Sequence, residues 1–335
     1  MRRVLAVGPM RYDCNSPMNE SEIRNRILQS LYETYFLTTD KGDVGFLLES
    51  ERLNKTLFEN LLDRMESEGV LRPFGMGGYF FELTGRGAIS CEDSGVVSRS
   101  LIEANRKARI EMLLALAETY NKHGGLHTVF NSDLYRRTGL NEIQATANLL
   151  VLHDLELAVP FGNAGSRITN SGLDFVQQEL NRRAISDEFE RISLMAPKPR
   201  GRALETLLGK LAESAGWQQE QSVKTSNEEI DVIVFQLREY YLVECKWEKN
   251  PIQARVIQGL IGKLSNRIGV SGIVASMSGF SKGAVTRVRE HVTQRVILVY
   301  GPEDLKSLVH GESSFNEMLN TKYNALITRK TVVFS

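Results

Sequence analysis

The sequence predicts a multidomain protein, with an α+β amino-terminal half and an α/β carboxy-terminal domain built on a central mixed sheet. Three observations lead to this prediction. The 335 residues exceed the roughly 250 that a single hydrophobic core usually supports. The first half contains one pattern twice, and the second half alternates apolar strands with amphipathic helices. We expect domains at residues 1–92, 93–194 and 195–335.

The composition is typical of a folded, water-soluble protein, with 42% hydrophobic and 24% charged residues. The three cysteines and five histidines are scattered, and they show neither a disulfide framework nor a metal-binding spacing. No apolar run approaches the roughly 18 residues that span a bilayer. The apolar stretch at the start is too short for a signal peptide. These features predict a cytoplasmic protein with no membrane partner.

Charge is unevenly distributed along a chain whose formal net charge is zero. Residues 196–335 contain 19 Lys and Arg against 14 Asp and Glu, whereas residues 1–195 contain 22 against 27. A mildly basic second half is compatible with a polyanionic partner, and equally with ordinary variation between domains.

The repeated pattern lies at residues 53–87 and 140–172. Both copies begin with Leu-Asn, reach Pro-Phe-Gly after the same interval and close with Thr-x-x-Gly. The second copy is two residues shorter in its glycine-rich middle, a length change that a hairpin tip tolerates. Residues 56–70, TLFENLLDRMESEGV, have the apolar spacing of a helix, and VLRPF and YFFELT follow as two strands around a glycine turn.

Further amphipathic helices precede both copies, at residues 21–36, 104–121 and 131–139. The order of helix, short helix, helix and β-hairpin resembles the winged helix-turn-helix family in both copies. Members often place the third helix in the DNA major groove. For the first copy, this implies DNA contacts from Lys55, Arg64 and Arg72, and from Arg86, which we expect in the wing. The third helix of this copy is also acidic, so the interpretation that the first copy does not bind DNA is equally open.

The third helix of the second copy differs, because it has no Lys or Arg between Leu140 and Leu152. A helix that reads the major groove usually needs such cations for phosphates and guanines. We therefore expect the second copy to contact protein, and to be a candidate interface of a homodimer.

A basic, proline-containing junction, ISLMAPKPRGR, separates the two halves. A helix at 201–217 follows, and the strands EIDVIVF and YYLVECKW then form a hairpin. A helix with Pro251 in its first turn comes next, followed by a buried strand, a helix and a second buried strand. The order α-β-β-α-β-α-β, with continuously apolar last strands, predicts a sheet covered on both faces.

Strand alternation brings three ionisable residues together in this hairpin. Glu244 and Lys246 lie two residues apart and so share a face, and Asp231 begins the neighbouring strand. Two carboxylates beside a lysine can hold a hard divalent cation, usually Mg²⁺, with Mn²⁺ as a substitute. The competing interpretation is a salt bridge on an exposed strand, which the apolar surroundings disfavour.

These residues resemble the PD-(D/E)xK nuclease superfamily, and within it the Mrr-like restriction endonucleases, over residues 200–310. Besides Asp231, Glu244 and Lys246, the matching positions include Glu205 on the first helix and Gln258 on the helix after the hairpin. The resemblance implies metal-dependent hydrolysis of phosphodiester bonds. The proline that gives the superfamily its name is absent before the aspartate, and the glycine-rich segment that often precedes it is replaced by KTSNEE.

The resemblance also implies individual roles. Asp231 and Glu244 would hold the metal together with the main-chain carbonyl of Cys245, Lys246 would activate water, and Glu205 would bind or support the metal. DNA, rather than RNA, is the expected substrate, in restriction or anti-phage defence. Phosphates could be held by surface cations of this half, which are Lys224, Lys249, Arg255 and Lys282.

Two alternatives remain open at this stage. One is a DNA-binding regulator whose nuclease domain is inactive, although the intact set of carboxylates and lysine argues against it. The other is a nuclease that stays silent until a protein or small ligand activates it.

Overall fold

The structure is a computed structural model, and it describes residues 18–38, 42–75, 78–125, 127–162, 164–224 and 229–332, except for the side chains of 223, 224 and 229. The chain divides into two compact units, Met1–Gln177 and Gln178–Ser335. Each unit has its own hydrophobic core or cores.

The first unit contains the two copies of the repeat, and their elements follow in the same order. The first copy consists of α1 (Glu20–Leu37), β1 (Gly42–Asp43), α2 (Phe46–Ser50), α3 (Lys55–Ser67), β2 (Leu71–Pro73), β3 (Phe80–Leu83) and α4 (Gly85–Ser94). The second copy consists of α5 (Arg99–His123), β4 (Val129–Phe130), α6 (Asn131–Thr138), α7 (Glu142–Asp154), β5 (Ala158–Phe161), β6 (Gly165–Ile168) and α8 (Asn170–Ser193). Each copy has a three-stranded antiparallel sheet, β1-β3-β2 or β4-β6-β5.

The Thr-x-x-Gly motif starts a helix in both copies. Thr84 Oγ1 accepts a hydrogen bond from the Gly87 amide at 3.0 Å, and Thr169 Oγ1 accepts one from the Gly172 amide at 2.9 Å. This is the hydrogen bond of a helix N-cap. Arg86 therefore lies in the first turn of α4, and the expectation that it belongs to the wing is wrong, because the hairpin has already ended at Leu83.

The third helix of the first copy buries the stripe that its sequence predicts. Phe58, Leu61, Leu62 and Met65 of α3 are buried in the core of that copy. The helix ends as expected, because Gly69 has a positive φ of 70° that favours glycine.

A buried polar network joins helices of both copies. Arg109 of α5 donates to both carboxylate oxygens of Glu92 on α4, at 2.8 and 2.7 Å. Tyr32 of α1 donates to Glu92 Oε1 at 2.8 Å, and Asn148 of α7 donates to Asn105 of α5 at 2.9 Å. These polar groups are buried and hydrogen-bonded to one another, so they specify how the four helices pack within the unit.

The second unit contains the end of α8 and a mixed sheet with helices. Its further elements are α9 (Pro197–Ser214), β7 (Gln218–Lys224), β8 (Glu229–Gln236), β9 (Glu239–Lys246), α10 (Ala254–Ser265), β10 (Val270–Ser276), α11 (Lys282–His291), β11 (Ile297–Tyr300), α12 (Pro302–His310) and α13 (Phe315–Arg329). The sheet has the order β11-β10-β9-β8-β7. Strands β7, β8 and β9 are antiparallel, and β9, β10 and β11 are parallel. The predicted central mixed sheet is therefore present.

Two local expectations differ from the structure. The helix predicted from Pro251 onwards begins only at Ala254, because Ile252 forms a short parallel bridge with Phe280 before the helix starts. Strand β7 was not predicted, because its sequence QQEQSVK is mostly polar and it lies at the edge of the sheet. Within the described part of the chain, no helix is long and apolar enough to cross a membrane.

Candidate active site

The hairpin of β8 and β9 positions the carboxylates and the lysine. Val232 pairs with Val243, so Asp231 and Glu244 are adjacent across the two strands. Glu244 and Lys246 lie on one face of β9, and the buried thiol of Cys245 points to the other face, into the core. The hairpin therefore brings the three residues together, as alternation within the strands predicts.

Lys246 lies at the centre of this cluster. Its Nζ is 2.8 Å from Glu244 Oε1 and 3.4 Å from Asp231 Oδ2. It also donates to the main-chain oxygen of Cys245 at 3.1 Å. One ammonium group thus contacts an oxygen of each of the three residues that the family resemblance assigns to the metal. Asp231 Oδ2 is further held by the amide of Cys245, at 3.0 Å.

A second lysine, Lys263 of α10, completes the surroundings of Glu244. Lys263 Nζ lies 2.8 Å from Glu244 Oε2, so each carboxylate oxygen of Glu244 has an ammonium partner. Sequence analysis missed Lys263 because the contact arises from the packing of a helix beside β9. The only signal in the sequence was a cation among the otherwise apolar and small residues of LIGKLS.

These ion pairs set the charge states of the cluster. Burial alone would raise the pKa of Glu244, but the charges and hydrogen bonds of Lys246 and Lys263 bring it below its usual range. Burial alone would lower the pKa of Lys246, but Glu244 and Asp231 raise it above the usual value for lysine. At neutral pH, Glu244 is therefore a carboxylate and Lys246 an ammonium.

Glu205 of α9 belongs to the same electrostatic environment. Burial, followed by the negative charge of Asp231, raises the pKa of Glu205 to about 7. Lys246 opposes this shift and Glu244 adds to it. The carboxyl of Glu205 is thus near the midpoint of its titration at neutral pH, which is a property of groups that transfer protons.

Gln258 is not brought into the cluster. It is exposed on α10, and among the described residues it makes no hydrogen bond to the carboxylates or to Lys246. Lys249 and Arg255 are exposed as well, and the side chain of Lys224 lies outside the described residues.

The cations predicted to contact DNA in the first unit are partly engaged with acids. Arg64 contacts Glu20, and Lys55 lies 3.8 Å from Glu59. Arg86 is exposed. Such exposed ion pairs are weak, so they do not prevent these side chains from contacting phosphates.

The oxygen atoms of the cluster suit a hard divalent cation. Among the described residues, no three His, Cys, Asp or Glu side chains converge closely enough to hold a metal ion as they stand. The Lys246 ammonium instead lies where oxygens of Asp231, Glu244 and Cys245 converge. A cation among these three oxygens shows that the donor set fits a positively charged group, and a divalent ion would compete with Lys246 for it.

Comparison with known proteins agrees with this geometry. Residues 198–308 match the model of the Mrr catalytic-domain family, described as restriction endonuclease. This part of the chain is a Mrr-like restriction endonuclease domain. The matched segment runs from the first turn of α9 to α12 and includes the whole five-stranded sheet. It also includes Asp231, Glu244 and Lys246, which we call the carboxylate cluster.

Comparisons with curated proteins and with solved structures identify no further family. Among curated proteins, no significant match to the chain is found. A crystal structure of AF1548, a protein of unknown function, is similar at 17% identity with a TM-score of 0.27, and the similarity covers 36% of this chain and 65% of that chain. The chain therefore spans slightly less than two thirds of AF1548. Protein VC1899 from Vibrio cholerae is similar at 13% identity with a TM-score of 0.27, over 88% of this chain and 80% of that one.

Proposed function

We propose that the protein is a metal-dependent endonuclease that hydrolyses phosphodiester bonds in DNA, with Mg²⁺ as its usual metal and Mn²⁺ as a substitute. The observation that carries this proposal is the convergence of Asp231, Glu244 and the Cys245 carbonyl on one cationic group inside a restriction endonuclease domain. Asp231 and Glu244 would hold the metal, together with the main-chain oxygen of Cys245. When bound, the metal supplies positive charge beside the phosphate and lowers the pKa of water.

Lys246 has a defined part in this proposal. Because its pKa is raised, its Nζ carries a proton and donates hydrogen bonds. It would therefore orient the attacking water and stabilise the charge that develops on the phosphate oxygens, instead of removing a proton itself. Water attacks phosphorus, the bond to the leaving oxygen breaks and that oxygen takes up a proton from solvent, while the proton lost by the attacking water must be accepted nearby.

Glu205 is the residue best suited to accept that proton. A pKa of about 7 leaves a substantial fraction of Glu205 as carboxylate at neutral pH, so the group can take up a proton in the same range. Its second role, as support for the metal, follows from the same proximity to Asp231 and Glu244.

For the first unit, we propose two winged-helix domains, at residues 1–92 and 93–194, preceding a nuclease domain at 195–335. Support comes from the order of three helices and a β-hairpin, which occurs twice. Helix α4 ends at Ser94, two residues beyond the proposed first boundary, and α8 ends at Ser193, one residue before the second. Lys55, Arg64 and Arg86 are the proposed DNA contacts of the first domain.

The second domain has another role in this proposal. Its third helix, α7, buries Ala147 and Val151 in the core of the first copy. A helix packed in this way has less surface free for a DNA groove, which supports a protein-contact role for the second domain. The remaining proposals are a homodimer, control by a protein or small-ligand activator, and a setting in restriction or anti-phage defence.

Cleavage of plasmid and single-stranded DNA in Mg²⁺ or Mn²⁺ tests the proposed function. Wild type should cut, and Asp231→Ala and Lys246→Ala should not, whereas Lys306→Ala, at an exposed lysine of α12, serves as a surface control that retains cleavage. If wild type binds duplex DNA without cutting it under any of these conditions, the protein is a regulator or requires an activator. Equal cleavage by wild type and Asp231→Ala would overturn the assignment of the site.

A further inference from the structure

One face of the sheet β4-β6-β5 exposes large apolar side chains to solvent. Phe130, Phe161 and Val159 are 64%, 49% and 43% exposed. The solvent face of a small antiparallel sheet is normally polar, and neighbouring exposed apolar side chains mark interaction sites. We call the surface formed by Phe130, Val159, Phe161 and Arg167 the aromatic face.

Strand register places these side chains together. Gly165 of β6 pairs with Phe130 on one side and with Phe161 on the other, so both rings project from the same face of the sheet. Two strand spacings separate them, or about 10 Å. Val159 pairs with Arg167, which lies two residues after Gly165 and therefore on the same face.

The residue between the two phenylalanines is a glycine, and it packs closely against Thr128. A Cβ atom at Gly165 would lie 2.3 Å from Thr128 Cγ2. Position 165 therefore carries no side chain of its own, and the methyl group of Thr128 packs there between Phe130 and Phe161.

Arg167 adds a positive charge to the aromatic face. Its guanidinium carbon lies 3.4 Å from the centre of the Phe161 ring, and its Nε donates to Thr128 Oγ1 at 3.1 Å. Among the described residues, no carboxylate pairs with Arg167, whereas Arg136 and Arg137 of the nearby α6 each have an acidic partner. None of the four residues of the face is acidic, so the face is complementary to a negatively charged partner.

We propose that the aromatic face binds single-stranded nucleic acid. Its partner must offer flat apolar groups and negative charge together, and unpaired nucleotides have both in their bases and phosphates. Bases stack on Phe130 and Phe161, and Arg167 contacts the backbone. A duplex hides the faces of its bases, so it is the weaker ligand. The proposal goes beyond the endonuclease activity, because no residue of the aromatic face belongs to the carboxylate cluster. It concerns the sheet of the second domain, whereas the protein-contact role proposed above concerns its helix α7.

Fluorescence anisotropy with a labelled oligothymidylate of about 15 nucleotides tests the proposal. The full chain is used in EDTA, so that binding is measured without cleavage. Stacking is worth enough that Phe130→Ser and Phe161→Ser should each raise the dissociation constant about tenfold. Arg167→Gln should weaken binding and reduce the slope of log affinity against log salt by about 0.7.

The first copy provides a matched control. Phe74 occupies the Pro-Phe-Gly position equivalent to Phe161 and is 41% exposed. Phe74→Ser should leave the dissociation constant for oligothymidylate unchanged. Thermal unfolding of every variant shows whether the exposed substitutions have kept the fold.

Three results would overturn the proposal. The first is a wild-type protein that does not bind the oligonucleotide. The second is equal affinity in wild type, Phe130→Ser and Phe161→Ser. The third is an unchanged affinity accompanied by a change in oligomeric state, which would make the aromatic face a contact between copies of the chain. A wild-type protein that binds the oligonucleotide but cuts no DNA in Mg²⁺ or Mn²⁺ would instead contradict only the proposed function.

Discussion

At the scale of single residues, Glu244 is the most constrained side chain of the cluster. Its two oxygens contact two different ammonium groups, those of Lys246 on its own strand and Lys263 on α10. Glu244 is therefore held in one orientation from two sides. Lys246 makes further contacts with Asp231 and the Cys245 carbonyl, whereas Lys263 approaches Glu244 Oε2 from α10. We therefore expect Lys263 to orient Glu244 and Lys246 to take part in the chemistry.

Lys263→Met should lower cleavage about 10- to 100-fold, because Glu244 loses the group that holds its Oε2. Initial rates across a Mg²⁺ titration measure the effect. Asn266→Ala, at the C-cap of the same helix, is the matched control, since Asn266 is exposed and should not alter the rate. An equal loss in both variants, or none in Lys263→Met, would show that Lys263 does not position Glu244. Lys263→Arg should recover part of the rate.

The raised pKa of Glu205 predicts a dependence of stability on pH. In the unfolded chain the carboxyl ionises near its ordinary value, and in the folded protein burial and the charge of Asp231 raise the pKa to about 7. The folded state therefore binds the proton more tightly, and this group lowers stability progressively as pH rises between these two values. Above about pH 7, Glu205 is ionised in the folded protein as well, and its destabilising effect on folding no longer increases.

Glu205→Gln should therefore raise the melting temperature at pH 8 in EDTA, and the gain should fade toward pH 4.5. Thermal unfolding by circular dichroism at several pH values measures the difference. Glu213→Gln, on the exposed side of the same helix, is the control with which the gain of Glu205→Gln is compared at each pH. A gain that is the same at both pH values would contradict the assigned cause.

At the scale of elements, the structure explains why both copies of the repeat contain the Thr-x-x-Gly motif. The threonine caps a helix, and the glycine lies against the main chain that precedes the hairpin. A Cβ atom at Gly87 would lie 2.2 Å from the carbonyl oxygen of Val70, and one at Gly172 would lie 2.0 Å from that of Leu157. Neither contact can be relieved by a side-chain rotation, because the obstacle is backbone.

Gly87→Ala should destabilise the protein by about 3 kcal/mol, the upper part of the range for overpacking. Urea unfolding followed by circular dichroism measures this. Gly262→Ala is a suitable control, because a Cβ at this helical glycine meets nothing within 4 Å. It should be neutral or stabilise by roughly 0.5–1 kcal/mol. If Gly87→Ala were as stable as wild type, the close contact between the start of α4 and the main chain at Val70 would not explain why this position is a glycine.

Sequence patterns predicted the helices and strands whose apolar residues recur at a regular spacing. The alternation in EIDVIVF and YYLVECKW was sufficient to place Asp231, Glu244 and Lys246 together, because a hairpin fixes which residues are adjacent. Strand β7 was missed because its mostly polar residues carry no apolar alternation. Lys263 was missed for a different reason. Its contact depends on how α10 packs beside β9, and spacing along the chain does not determine tertiary packing.

At the scale of the whole molecule, the chain combines two compact units with different chemistry. The first unit contains both repeats, joined by the buried network around Glu92 and Arg109. The second contains a Mrr-like restriction endonuclease domain with the carboxylate cluster at the hairpin of β8 and β9. This division was only partly predictable. The repeats were visible in the sequence, but the network that joins them depends on residues such as Tyr32 and Asn148, which carry no motif.

The central claim is that oxygens of Asp231, Glu244 and Cys245 form the metal site of this domain. Isothermal titration calorimetry of Mn²⁺ into wild type and Asp231→Asn tests it most directly, because binding is measured without DNA and without turnover. The account predicts that wild type binds Mn²⁺ and that Asp231→Asn, with an amide in place of the carboxylate, binds it more than about tenfold more weakly. Equal affinity in the two proteins, or no binding by wild type, would contradict the account.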